Sequence, residues 1–395
     1  MGRRSERLRL AFVVWGVLVS QVFLYPGLED IVAALGAPPG IQAGMWFLVA
    51  EFAAFVVFAG VWGAISDATG RRVPWIVLGA LGGAGSYLLL PELPALGLGY
   101  GAVLLVRVGG GALTIGAFSL SITMLMDLTG EHGRDMGAAG IAIGLGAALG
   151  SVVGGQLATA DPVLPLYAGA GALATVGGVA ATVPDRAPER SLAVDQVLDR
   201  LRARPQLLVP YAFGFIDRTT AGFFALVGTF YFRDAFELSA GEAGLTLALF
   251  FLPFALLQYP MGILSDRVGR FLPVVGGSLA YGFGIVAVGL APSYPIAAGL
   301  MVVVGVFGAL VAPATMALVT DIAAPDGRAT AMGGFNVFGS LGFLTGFLLG
   351  GFTTQAGGYL AAFAVVGGLE IAIAIGAMRA VQRLTPEGER STLAP

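Results

Sequence analysis

Apolar residues fill twelve long stretches of the chain, and polar residues gather in the short intervals between them. The stretches cover roughly residues 10–35, 43–65, 73–91, 98–126, 135–158, 162–183, 206–231, 242–264, 271–291, 295–320, 328–353 and 358–380. An α-helix needs about 20 apolar residues to cross the hydrocarbon core of a bilayer. Each stretch therefore predicts one spanning helix, and the expected fold class is an all-α membrane protein with twelve transmembrane helices. The opening MGRRSERLRL has the basic start of a signal peptide, but the apolar run continues past Val22 to Leu35 without a small-residue cleavage site. It reads as a retained first helix. The longest polar interval, PDRAPERSLAVDQVLDRLRARP at 184–205, separates six spans from six. The expected domains are thus 1–183, a linker at 184–205, and 206–395. A stripe of Leu192, Val197, Leu198 and Leu201 predicts a short amphipathic helix in the linker, lying on the inner membrane surface.

The halves also match each other. Asp67 maps onto Asp266 with a shift of 199 residues, and Asp127 onto Asp321 with a shift of 194. Gly133–Arg134 and Gly327–Arg328 are again 194 apart, while Gly154–Gly155 and Gly350–Gly351 are 196 apart. Such parallel repeats are one of the ways transporter folds are built. Orientation follows from the arginines: 18 of the 21 fall on one side of a twelve-span arrangement, Arg233 falls on the other, and Arg107 and Arg218 lie within spans. Basic loops mark the cytoplasmic side, so both termini and the linker are expected there, in the inner membrane of the cell. Glu92, Asp161, Asp234, Glu237 and Glu242 make the opposite face acidic.

Composition narrows the function classes. With 395 residues, 57% of them hydrophobic and 11% charged, and a mean hydropathy of +0.86, the chain cannot cover its apolar surface with polar groups as a soluble domain does. It has no cysteine and a single histidine, His132, which removes disulfides, thiolate metal sites and histidine clusters. No metal or cofactor is expected. All 21 basic residues are arginine, and a phosphate-binding loop of the G-x-x-x-x-G-K type needs a lysine, so ATP-driven transport within this chain is excluded. No nucleophile–base arrangement suggests an enzyme. The expected partners are the bilayer, a small molecule and protons, with no nucleic acid, and the chain is expected to be a monomer.

Two connections stand out. GAISDATGRR, Gly63 to Arg72, joins the second and third spans, and GILSDRVGR, Gly262 to Arg270, joins the eighth and ninth. Gly63 and Gly262 allow close approach of a neighbouring helix. Gly70 and Gly269 can adopt the left-handed conformation that ends a helix and reverses the chain. Asp67 and Asp266 fall where a carboxylate meets a basic partner or a helix N-terminus, and Arg71, Arg72 and Arg270 anchor the cytoplasmic side. This pattern resembles the signature loop of the major facilitator superfamily. The resemblance implies two six-helix pseudo-symmetric bundles, alternating access, and a role for both loops in latching the cytoplasmic side.

Charges inside spans are expensive and point to function or to a partner. Here they are Glu51, Arg107, Asp217, Arg218 and Glu370. At about 1.5 Å per residue, Glu51 lies about 18 Å from Gly63 and Asp217 about 17 Å from Gln206, near the midplane, where secondary transporters hold substrate and coupling ions. Arg107 begins R-V-G-G-G, which is similar to the family's fourth-helix motif, with Gly110 in place of its usual glutamine. Glu51 and Arg107 are expected to pair, either as a proton-exchanging couple facing a central cavity or as a structural ion pair. Asp217 is a second candidate proton carrier. Asp217 and Arg218 point about 100° apart on a helix, and Arg218 either holds an anionic substrate or a carboxylate, or serves a local structural role, for example in a pair with Glu370. Gln21, Tyr25 and Glu370 are further cavity candidates. In the first span, Glu29 and Asp30 either line a cavity beyond Pro26 or sit in the outer headgroup region.

The series Gly146, Gly150, Gly154, Gly155 resembles the antiporter motif of drug-exporting facilitators, with Ser151 where a proline usually stands. Gly342, Gly346, Gly350, Gly351 repeat its spacing, so close packing between bundles accounts for both without an exchange mechanism. Phe223, Phe224, Phe230, Phe232, Phe250, Phe251 and Phe254 either pack or line a cavity. Together these readings imply a secondary transporter, with proton-coupled export of amphipathic or drug-like compounds as the first expectation. Uptake or exchange of a small organic solute, anions included, is the second, and a non-transporting sensor the third.

Overall fold

A computed structural model of the chain describes residues 3–129, 132–185, 202–324 and 327–385. The amphipathic linker helix expected from the sequence lies outside them. Among the described residues all regular structure is helical: α1 Arg3–Val22, α2 Leu28–Ala34, α3 Ile41–Thr69, α4 Val73–Leu89, α5 Tyr100–Thr129, α6 His132–Ala160, α7 Leu164–Ala180, α8 Leu208–Phe223, α9 Thr229–Phe236, α10 Ala240–Val268, α11 Gly277–Gly289, α12 Tyr294–Ile322 and α13 Arg328–Leu384. The helices α3, α10 and α12 each have 29 residues, about 44 Å of helix. By length and composition they cross a bilayer. Helices are the natural answer there, because lipid offers no partner to an unpaired backbone amide.

Four of the predicted spans are built differently. The first is interrupted between α1 and α2, where turns run from Phe23 to Gly27. Pro26 explains the break, since its ring clashes with the carbonyl four residues back, and that residue is Val22, the end of α1. The seventh span joins α8 to α9 through a π-helical stretch, Phe224–Gly228, and runs on to Phe236. The last two spans form one helical run, α13, broken at Gly358, whose φ of 77° and ψ of −179° are open to glycine alone.

The chain divides into two compact units, Met1–Ala193 with Ala225–Ala248, and Val194–Phe224 with Leu249–Pro395. In the first, α1 packs on α5, α6 and α7, and α5 on α3 and α4. In the second, α13 packs on α8 and α11, and α12 on α11. Its core includes Phe213, Val274, Val275, Leu318 and Val381. Small residues bring the helices together in both. A Cβ at Gly79 would fall 2.8 Å from the Ala117 nitrogen, and one at Gly346 would fall 2.8 Å from the Phe223 nitrogen. Lipid tails are as apolar as the side chains, so association rests on such close van der Waals contact.

Backbone atoms cannot move aside as a flexible side chain can. Gly346→Val is therefore expected to cost about 1–3 kcal/mol or more, seen as a lower unfolding temperature of the detergent-purified protein. A Cβ at Gly63 meets nothing within 4 Å, so Gly63→Ala is the control and should melt with the parent or slightly above it. Equal melting of the Gly346→Val protein would show that α8 and α13 are not held by this contact.

Candidate functional site

In the first unit, Glu51 on α3 and Arg107 on α5 form an ion pair, Arg107 Nη2 donating to Glu51 Oε2, and each side chain is only 1% exposed. Gly111 makes the meeting possible: a Cβ there would fall 2.7 Å from the Glu51 carbonyl oxygen and 3.0 Å from its Cα. One turn of α5 thus supplies both the arginine and the gap that lets the glutamate reach it. The rest of the enclosure is aromatic. The guanidinium carbon lies 4.2 Å from the Phe47 ring centroid and 5.4 Å from that of Tyr87, distances at which a ring face attracts a cation. The Tyr87 hydroxyl donates to Glu51 Oε1 at 3.5 Å. Tyr25 is within electrostatic reach of Glu51 and Arg107, and both Tyr25 and Gln21 are buried. Both side chains are sealed from solvent.

In the second unit, Asp217 on α8 is buried and Glu370 on α13 is 0% exposed. Arg218 does not pair with Glu370. Its Nε lies 3.6 Å from Asp217 Oδ2, and its side chain is 37% exposed. Adjacent residues diverge by about 100° on a helix, but the arginine stem is long enough to fold back along the helix surface. Glu370 instead shares its surroundings with Ser278 and Asp217, and Tyr281 lies within electrostatic reach of both carboxylates.

Both repeated loops close on a left-handed glycine, Gly70 at φ 63° and Gly269 at φ 82°. Neither motif-leading glycine makes the expected close approach: Gly63 faces open space, and a Cβ at Gly262 would have only Pro313 at 3.7 Å. Arg270 joins Asp266 at 2.5 Å and Asp321 at 3.1 Å. Partial burial disfavours its charge, but these hydrogen bonds and carboxylates prevail and raise its pKa. In the first loop Asp67 is half-buried and Arg71 exposed. The helix N-terminus next to Asp67 is capped from elsewhere: Asp185 Oδ1 accepts from the backbone N–H groups of Arg72 at 2.9 Å and Val73 at 3.1 Å. The side chains of Asp127 and His132 lie outside the description.

The glycine series of α6 faces α1. Cβ atoms at Gly146 and Gly150 would fall 2.8 Å from Trp15 and 3.0 Å from Val22, and Gly154 lies against the Phe23 backbone. Gly155 meets the Ala240 carbonyl. In the second unit Gly342 and Gly346 lie against Phe215 and Thr219 of α8, and Gly350 and Gly351 are buried. Gly146, Gly150, Gly154, Gly342 and Gly346 make these contacts within their own half of the chain, whereas Gly155 meets a residue of the other half. Beyond Pro26, Asp30 binds Arg233 at 2.8 Å, with Glu29 at 3.7 Å. Phe224 stacks on Phe250, and Phe223 meets Phe363 edge-on, so these rings pack on one another.

Sequence reasoning passed over Tyr87, Gly111, Asp185, Ser278 and Tyr281. Only Gly111 carried a visible signal, as the last residue of R-V-G-G-G. Among the described residues no three carboxylates or imidazoles are placed to hold a metal.

The family model of the Major Facilitator Superfamily matches residues 10–232 and 207–395. Solved structures of similar fold include the nucleoside transporter NupG, 16% identical over 95% of this chain and 99% of that one, with a TM-score of 0.75. The human organic anion transporter MFSD10 is 20% identical over 97% and 100%, with a TM-score of 0.69. The D-xylose-proton symporter is 16% identical over 98% and 99%, with a TM-score of 0.70. No curated protein sequence matches the chain. At such identities the structural likeness carries the fold, two six-helix bundles, and the family model carries the membership. The chain belongs to the major facilitator superfamily, as a multi-pass membrane transporter of small molecules and not an enzyme.

Proposed function

We propose that this transporter couples proton movement to the export of amphipathic or drug-like compounds by alternating access, and that Glu51 is a proton-exchanging group. The observation that carries the coupling is the sealed Glu51–Arg107 pair. Two charges removed from water are stable only while they face each other, and separating them leaves a buried charge that costs several kcal/mol. A conformational step that parts the pair therefore drives a proton onto Glu51, and re-forming the pair expels it. Asp217, buried beside a half-exposed Arg218, is the second candidate carrier. Export is supported by the likeness of the α6 glycine series to the antiporter motif, although its contacts with α1 serve packing as well.

A second reading is uptake or exchange of a small organic anion. It is favoured by Arg218, whose side chain is half-exposed and only loosely held by Asp217, and by the fold shared with an organic anion transporter and a sugar–proton symporter. In either case the halves are 1–183 and 206–395 with the linker between them, and the arginine distribution supports cytoplasmic termini and an inner-membrane location. The loops carrying Asp67 and Asp266 act as gate elements on that side, and the chain works as a monomer.

The deciding experiment follows proton movement in inside-out vesicles under an imposed pH gradient, with lipophilic cations and organic anions added singly. Collapse of the gradient by a lipophilic cation, lost in Asp217→Asn, supports export; collapse by an anion supports the second reading; no response to either class overturns proton coupling. Glu51→Gln is expected to abolish gradient-driven transport while sparing substrate-for-substrate exchange. Retained exchange also shows that the variant is folded, and a variant still driven by the gradient would clear Glu51. Asp67→Asn should slow turnover severalfold with expression and substrate binding little changed, and unchanged turnover would remove the gate role.

A further inference from the structure

Glu370 is the most isolated acid among the described residues. It is 0% exposed, and neither of its carboxylate oxygens accepts a hydrogen bond. The hydroxyls of Ser278 and Tyr281 on the neighbouring α11 are equally buried and make no hydrogen bond of good geometry, although Ser278 lies close enough to Glu370 to interact with it. Two glycines press α11 and the second arm of α13 together here: a Cβ at Gly282 would fall 3.2 Å from the Glu370 Cβ, and one at Gly367 would fall 2.6 Å from the Gly282 carbonyl oxygen. The hydroxyls and the carboxylate are thus held in one packed layer, with Asp217 of α8 within electrostatic reach of Glu370 and Tyr281.

The charges in this layer do not balance. Asp217 and Glu370 supply two negative charges, and Arg218 is the positive one that faces them. That arginine engages Asp217 alone and leans toward the exposed side. A carboxylate taken out of water without a counter-charge or hydrogen bond is among the most costly groups a fold can contain, so one positive charge is missing. The donors on offer are two carboxylates and two hydroxyls, all hard oxygen ligands of the kind that suit protons and small hard cations. A divalent ion would overshoot the deficit by one charge.

We propose that Glu370, Asp217, Ser278 and Tyr281 form a binding site for one monovalent cation, a proton or a sodium ion, distinct from the Glu51–Arg107 pair. The contrast with that pair supports the assignment. Glu51 has a full counter-charge and a tyrosine donor, whereas Glu370 has neither. This inference deepens the coupling reading for its consequence in transport, but binding itself does not depend on that reading.

The test uses the full-length protein purified in detergent, without substrate or gradient, so a protein that exports nothing can still pass it. In the sodium arm, thermal unfolding is followed as sodium chloride replaces choline chloride at constant ionic strength. Stabilisation by sodium that is lost in Glu370→Gln and retained in Glu51→Gln identifies a sodium site. In the proton arm, infrared difference spectra at neutral pH should show a protonated-carboxyl band that disappears in Glu370→Gln and shifts in frequency in Tyr281→Phe. Should Glu370→Gln fail to fold, Tyr281→Phe serves both arms, weakening the sodium midpoint severalfold or shifting the band. Sodium stabilisation that survives these substitutions, or the absence of both signals in the parent, overturns the site.

Discussion

The constraint behind this structure is that the membrane interior supplies no partner for a polar group. Backbone amides answer it by forming helices throughout the described residues. Where a helix must be interrupted, turn hydrogen bonds take over, as between Phe23 and Gly27, where Pro26 removes a donor and forces the break. Side-chain charges answer the same constraint in pairs. Glu51 finds Arg107, Asp217 finds Arg218 and Asp30 finds Arg233, each inside a single unit.

Pairing requires proximity, and glycine provides it. Gly111 admits the Glu51 backbone beside Arg107, and Gly282 and Gly367 bring Glu370 against α11. The same device fixes the fifth and eleventh spans on the first and seventh, through Gly146, Gly150 and Gly154 on one side and Gly342 and Gly346 on the other. Small residues therefore serve packing and polar chemistry together. A helix cannot shift at these contacts without also disturbing the charges that the contacts position.

The spans, the repeated loops and the conspicuous charges were legible because each stands out locally. A run of 20 apolar residues, or an arginine within one, needs no knowledge of neighbours. The partner of each charge was less legible. Arg107 was matched to Glu51 through helix position, whereas Arg218 turned to its own neighbour because its stem is long and flexible. Tyr87, Ser278 and Tyr281 went unnoticed because a hydroxyl in an apolar run resembles any other residue until its surroundings are known. Asp185 escaped for a similar reason: the helix end it caps lies more than 100 residues away. The facing of the glycine series could not be read from spacing either, since i, i+4 repeats mark a face without naming the helix it meets.

The two buried acid sites imply different kinds of sensitivity. Glu51 is neutralised by Arg107, so under the proposed coupling a proton reaches it only after that arginine moves away, and its occupancy follows conformation. Glu370 has no such partner among the described residues, and under the proposed assignment its occupancy follows the cation supplied. A ligand shifts a conformational equilibrium only through its differential affinity for the two states. Under the proposed assignments, a cation at Glu370 would favour the conformation that encloses the layer between α11 and α13. The division follows from one difference in local composition: an arginine four residues before a glycine on α5, and no arginine in the corresponding approach of α11 to α13.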